Sequence, residues 1–211
     1  MSAVCHELID YETRINQQTI MTNTLKELKR ILNTGGKLII REPIVPENPT
    51  QMISLTLSKT QKVTATRAQV AAVYANLTEA ELFEKFIQEW IFLDDASIRS
   101  LTSPNADQQA RYAVPAWIVA EYARKRTFID YVGNWQSEMH ELNAAFAPQD
   151  IQAYAIAAGF KPTHIQFETL MEDDYYGEFK DGDGIILTDS HGVPIDQATL
   201  LPSHMYMLIE V

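Results

Sequence analysis

The chain has 211 residues, of which 46% are apolar, and its 28 acidic side chains outnumber 17 basic ones to give a net charge of -11. That length accommodates one domain with a sizeable core, or a core plus a helical subdomain, and the apolar fraction excludes general disorder. The acidic balance argues against phosphate-backbone binding and the apolar runs fall short of the ~20 residues of a membrane span, so neither nucleic acid nor membrane is an expected partner.

A single cysteine, Cys5, precludes an internal disulfide, and the first residues lack the basic-then-apolar pattern of a signal peptide, which together predict a cytoplasmic location. From Thr19 to Leu32, Met21, Leu25, Leu28 and Ile31, joined by Ile20 and Leu32, recur at spacings of three and four and predict an amphipathic helix. Lys26, Lys29 and Arg30 suit the carbonyl end of its dipole, and Gly35-Gly36 supplies a left-handed stop. Lys37–Glu42 follows as a strand. Its apolar run Leu38-Ile39-Ile40 predicts coverage on both faces, as in a parallel sheet.

Pro43, Pro46 and Pro49 begin a change of composition that lasts to about residue 145, read as an inserted helical subdomain. Thr78 and Glu81 form a capping box ahead of Leu82, Phe83, Phe86, Ile87, Trp90 and Ile91, a strongly amphipathic set. Pro115 opens a helix carrying Trp117, Ile118, Glu121 and Tyr122, and the Arg124-Lys125-Arg126 cluster after it reads as a solvated helix end, with an anion contact as the alternative. Pro148 starts another helix with Ile151, Tyr154, Ala155 and Ala158 inward, stopped at Gly159. Two strands close the chain, one alternating through Ile165, Phe167 and Thr169, the other the apolar run Met205–Val211, and an acidic connection joins them.

Metal chemistry has little support. His140-Glu141, His164, His191 and His204 lack ligand spacing, and Asp181-Gly182-Asp183-Gly184 lacks the acidic ligand pattern that follows in a calcium loop, so it reads as a turn and no metal is expected. Ser residues sit in no Gly-x-Ser-x-Gly elbow, and Cys5 reads as a small buried thiol.

The order strand end, helix, Gly-Gly, strand, helical insert, helix ending Ala158-Gly159-Phe160, then two closing strands resembles the C-terminal two-thirds of a class I S-adenosylmethionine-dependent methyltransferase. The resemblance implies an α/β fold, an incomplete Rossmann-like sheet in the family order 3-2-1-4-5-7-6 with the seventh strand antiparallel. Residues 2–5 would end strand four, 37–42 would be strand five, 164–170 six and 205–211 seven. The corresponding division is 1–50 as the C-terminal part of the Rossmann-like core, 51–145 as a helical lid or substrate subdomain, and 146–211 as the remaining core helix with the closing strand pair.

Val4-Cys5-His6-Glu7 followed by Asp10 is similar to the His-Asp-Trp-x-Asp stretch of small-molecule O-methyltransferases, which implies His6 as general base. An imidazole can take the proton of a hydroxyl as its oxygen attacks a sulfonium methyl. The departure at Glu7 and Leu8 leaves open an acceptor other than a phenol. Tyr131, Asn134, Trp135 and His140 lie in a segment resembling one near the C-terminal helices of some methyltransferases. With Glu7, and Glu42 at the end of the fifth strand, they are the substrate-pocket candidates; packing of the subdomain is the other role open to the aromatics.

No Gly-x-Gly-x-Gly turn occurs in the chain. On the resemblance, roughly a hundred residues of cofactor-binding half are missing, and the exposed edge of the fifth strand calls for a separate N-terminal polypeptide or a second copy to cover it. Adenosylmethionine is the implied cofactor and a small molecule the implied acceptor, with the chain alone expected to be inactive or weakly active. Three readings follow: a truncated or half-enzyme methyltransferase acting on an O or N, a non-catalytic remnant working as a binding or regulatory partner, and an unrelated α/β enzyme such as a dehydrogenase fragment.

Overall fold

The computed structural model describes residues 17–64, 70–93, 97–143, 146–170, 184–195 and 204–211. It is a mixed α/β structure with antiparallel sheets and several helices, divided into two compact units. The described part of the first comprises 17–45, 143, 146–170 and 204–211; the second comprises 46–64, 70–93, 97–142 and 184–195.

In the first unit, α1 (Gln17–Ile31) leads into β1 (Lys37–Pro43), and the later elements α6 (Pro148–Ala157), β5 (Ile165–Leu170) and β7 (His204–Glu210) complete it. The strands lie in the order β1-β7-β5, and β7 runs antiparallel to both neighbours, so β1 and β5 point the same way. Register places Leu38 and Ile165 opposite Ile209, Ile40 and Phe167 opposite Met207, and Glu42 and Thr169 opposite Met205. Because side chains alternate along a strand, these residues share one face. Leu38, Ile40, Ile165, Met205, Met207 and Ile209 pack there with Met21 and Leu25 of α1 and Ile151 and Ala155 of α6.

Two apolar residues depart from expectation. Ile31 is 64% exposed, since ten residues of helix carry it about 80° away from Met21, whereas Leu32 returns to the buried stripe. Ile39 is 58% exposed where a doubly covered strand was expected. The helices of the unit pack on the face of Leu38 and Ile40, and the alternation of β1 turns Ile39 to the other.

The stops between elements are local. Gly35 takes φ +77°, its N–H donates to the carbonyl of Val211 at 2.8 Å, and the Val211 N–H returns to Gly36 at 3.0 Å, tying the turn into β1 to the end of β7. Gly159 takes φ +91° after α6, and its carbonyl accepts from Lys29 Nζ of α1.

The second unit is not the helical insert that composition suggested. It holds β2 (Met52–Ser58), α2 (Ala72–Ala75), α3 (Glu79–Glu89), β3 (Arg99–Leu101), β4 (Gln109–Pro115), α4 (Ala116–Lys125), a 3-10 turn at Arg126–Phe128, α5 (Val132–Glu138) and β6 (Ile185–Thr188). The strands form an antiparallel sheet in the order β3-β4-β2-β6. Ile53, Leu55 and Leu57 are fully buried on alternate positions of β2, with the small polar Ser54 and Thr56 between them, which is a strand period and not a helical one. Residues 185–188, expected to belong to the acidic connection between the two closing strands, form a strand that pairs with β2.

Helix α3 starts as predicted. The Thr78 N–H donates to Glu81 Oε2 at 2.7 Å, and the Glu81 N–H to Thr78 Oγ1 at 3.3 Å. Those bonds, the backbone one foremost, hold the Glu81 carboxyl below its ordinary value. Phe83 and Phe86 then meet the Tyr122 ring of α4 at centroid distances of 4.8 and 5.3 Å, and Trp90 lies 5.0 Å from Phe86. This aromatic layer is the core of the unit and fixes the face that α3 turns inward.

Candidate functional site

Val132, Trp135 and Gln136 of helix α5 and its C-cap residue Met139 stand at i, i+3, i+4 and i+7, so they form one stripe facing a single direction. That stripe, with Val73 and Tyr74 of α2 and Lys85 and Glu89 of α3, lines a cleft of about 320 Å³ whose last wall residue is His140. The volume is at the small end of the range in which ligand pockets fall.

Trp135 anchors the cleft. It is fully buried, its ring centroid lies 5.6 Å from that of Tyr74 with planes at 42°, and its Nε1–H donates to Glu89 Oε2 at 2.7 Å. The other Glu89 oxygen takes the Lys85 ammonium one helical turn earlier. Burial, and after it the charge of Glu89, push the Tyr74 phenol up, so that it stays protonated. At the mouth, His140 Nδ1 lies 2.9 Å from the main-chain carbonyl of Gln136.

The other side of α5 meets the basic cluster, which is buried and not solvated. Arg124, Lys125 and Arg126 are each at most 1% exposed. Lys125 Nζ lies 2.9 Å from Glu138 Oε2 and 3.8 Å from Glu121 Oε2; Arg124 Nη1 is 4.0 Å from Glu121 Oε1. Arg126 grips Glu79 through Nε at 3.1 Å and through Nη2. Three cations thus meet three carboxylates drawn from α3, α4 and α5, and that pairing is what allows them to leave water. Burial, ahead of the opposing pull of Lys125, raises the Glu138 carboxyl above its ordinary value.

The sequence-derived candidates separate on this geometry. Trp135 and His140 line the cleft. Tyr131 stands at the N-cap of α5, 64% exposed, and Asn134 is exposed with its Nδ2 donating to Asp130 Oδ1 at 3.3 Å; neither lines the cleft. Glu42 is fully buried in β1 of the first unit and is not a wall residue either. His6 and Glu7 lie outside the described residues. Tyr74, Lys85, Glu89, Gln136 and Met139 were not anticipated. Gln136 and Met139 were within reach through their spacing from Trp135, and Lys85 and Glu89 through their i, i+4 pairing.

Among the described residues no group of three or more His, Cys, Asp and Glu is arranged to hold a metal ion, and no helix is long and apolar enough to cross a membrane. Nor do they form an adenosylmethionine cradle. A β-carbon at Gly184 would meet Gln61 and Glu79, one at Gly133 the Tyr131 ring, and Gly35 lies between a helix and a following strand, the reverse of the order such a turn needs. No protein-family model, no curated protein and no solved structure matches the chain.

Proposed function

We propose that the chain is the acceptor-binding part of a class I S-adenosylmethionine-dependent methyltransferase acting on an O or N of a small molecule, and that the cleft between α2, α3 and α5 holds the acceptor. The observation that carries this reading is the strand order β1-β7-β5 with β7 antiparallel to both flanks. It is the 5-7-6 order of the family, and it comes with the family's helix-Gly-Gly-strand entry and its Ala158-Gly159-Phe160 helix end. The support is one of fold analogy, so the chemistry has to be tested directly.

The described residues do not fit the cofactor, and no step of the transfer is assigned to them. Cofactor contacts then come from other residues or from a partner, either a separate polypeptide or a second copy, and His6 keeps its place as candidate base. A cytoplasmic location suits a small-molecule acceptor. The lack of a Gly-x-Gly-x-Gly turn in the sequence favours a second reading, in which the chain binds its ligand or partner without catalysis.

Labelling separates the two. The chain, isolated from its native cells with whatever co-purifies, is irradiated with tritiated S-adenosylmethionine. Label competed by S-adenosylhomocysteine, on the chain or on a companion polypeptide, is the expected result. Absence of competed label on both overturns methyl transfer and leaves the binding reading.

A further inference from the structure

We propose that the face of the first unit's sheet turned away from α1 and α6 docks a second copy of this chain, the two sheets packing face to face about a two-fold axis that runs along β7. The inference concerns this face and not the edge of β1, and it stands apart from methyl transfer.

Alternation decides what the face holds. Both helices pack on the side of Leu38 and Ile40, so the opposite side collects Ile39 and Arg41 of β1, Tyr206 and Leu208 of β7, and Gln166 and Glu168 of β5. Ile39 is 58% exposed, Gln166 and Glu168 are exposed, and Arg41, Tyr206 and Leu208 are half-buried. All of them but Arg41 line a concavity of about 360 Å³.

Register arranges these residues in two rows. Ile39, Leu208 and Gln166 stand side by side in one, and Arg41, Tyr206 and Glu168 in the other. A cation and an anion thus flank β7 at the same height. Tyr206 steadies the cation, because its hydroxyl accepts from Arg41 Nε at 2.9 Å and its ring centroid lies 5.8 Å from the guanidinium carbon. The Glu168 side chain has no hydrogen-bond or ion-pair partner among the described residues. Lys37 and Glu210, also on this face, stand opposite each other. Acid and base therefore balance here, in a chain whose net charge is -11.

A two-fold axis makes the face its own complement. Rotation about β7 lays β1 of one copy over β5 of the other. Arg41 then meets the partner's Glu168 at two symmetry-related places, Ile39 meets the partner's Gln166, and Leu208 and Tyr206 meet their own counterparts. An axis across the strands would lay β1 on β1 and set cation beside cation, so charge selects the first arrangement. Strands of six or seven residues, at about 3.3 Å per residue and about 4.8 Å apart, give a footprint of roughly 23 Å by 14 Å. That is small for a specific interface, so the dimer is a weak one that forms on concentration.

The test is sedimentation velocity of the full chain over about a hundredfold range of concentration. The wild type is expected to pass from monomer to dimer. Arg41→Glu and Glu168→Arg should each weaken association about tenfold or more, since each sets like charges together at both places. An equimolar mixture of the two variants should recover it, because each then supplies the charge the other lacks. Ile39→Glu, at an exposed position, should weaken association likewise, and it decides the matter with Glu168→Arg if circular dichroism shows that Arg41→Glu does not fold. A wild type that stays monomeric throughout, a dimer indifferent to Glu168→Arg or to Ile39→Glu, or a mixture of folded variants no tighter than its components overturns the inference. Sedimentation uses no adenosylmethionine, so the labelling result stands whichever way this one falls.

Discussion

Trp135 Nε1–H and Glu89 Oε2 meet at 2.7 Å across a separation of 46 residues, and this one bond joins α5 to α3 at the floor of the cleft. A buried indole needs a partner for its N–H, and a carboxylate is the strongest one available. Trp135→Phe keeps a ring beside Tyr74 but removes the donor. Glu89 is partly exposed and regains water, so the loss is expected near the low end for a charged bond, about 2 kcal/mol including the small void. Glu89→Gln retains an acceptor for the indole and gives up only a half-exposed i, i+4 pair, for which under about 1 kcal/mol is expected. Urea denaturation of both variants checks the ranking; equal losses would mean that the pair with Lys85, and not the indole bond, holds the floor.

Lys125 is the hub of the buried charges, within 2.9 Å of Glu138 and 3.8 Å of Glu121. Lys125→Met takes the cation 2.9 Å from Glu138 and one of the two beside Glu121, which keeps Arg124, and a loss of about 3 kcal/mol is expected, because breaking a buried pair by removing one partner costs more than the pair contributed. Lys125→Met combined with Glu138→Leu should recover part of that loss. The coupling, read from a double-mutant cycle in urea, is expected to exceed about 1 kcal/mol.

Glu138 and Glu81 bend the dependence of stability on pH in opposite directions. Burial raises the Glu138 carboxyl above the usual 4.5. A folded-state value above the unfolded one means that the folded chain holds the proton longer, so this contribution is complete below 4.5 and is lost as pH rises through the raised value. The Thr78 backbone bond lowers Glu81 from 4.5. Its contribution is complete above 4.5 and is lost as pH falls through the lowered value. Glu138→Gln should therefore flatten the slope above 4.5, and Glu81→Gln the slope below it, in urea midpoints taken from about pH 3 to pH 7.

What the sequence disclosed was what short-range rules govern. The Met21 and Leu25 stripe, the Gly35 and Gly159 stops, the Thr78–Glu81 box and the two closing strands each depend on neighbours within a turn or two. The second sheet was hidden because its strands are short and dispersed. β3 is exposed at all three positions and has no pattern to read, and β4 ends on Pro115, which also stands at the start of α4. The alternation of Ile53, Leu55 and Leu57 was legible but was absorbed into a stretch read as helical. Burial of Arg126 depends on Glu79, 47 residues away, and only Glu121 is close enough in sequence to hint that the cluster is paired. The cleft divides likewise: Trp135 lies on α5 and His140 in the turn just after it, while Tyr74 and Glu89 reach it through tertiary packing.

Gly35 isolates backbone conformation from packing. Its φ of +77° lies in the left-handed region, yet a β-carbon there would meet nothing within 4 Å, so a side chain costs conformational strain and no clash. Gly35→Ala is expected to lose about 1 kcal/mol, and Gly35→Asn less, since asparagine tolerates that region better. The strain falls where the Gly35 N–H holds the carbonyl of Val211. If the turn adapts by leaving the left-handed region, that bond and the neighbouring return from Val211 to Gly36 open together, and amide exchange at both should rise in Gly35→Ala while exchange in the middle of β7 is unchanged. Equal stability of the alanine variant and the wild type would show that this turn does not set the junction between α1 and β1.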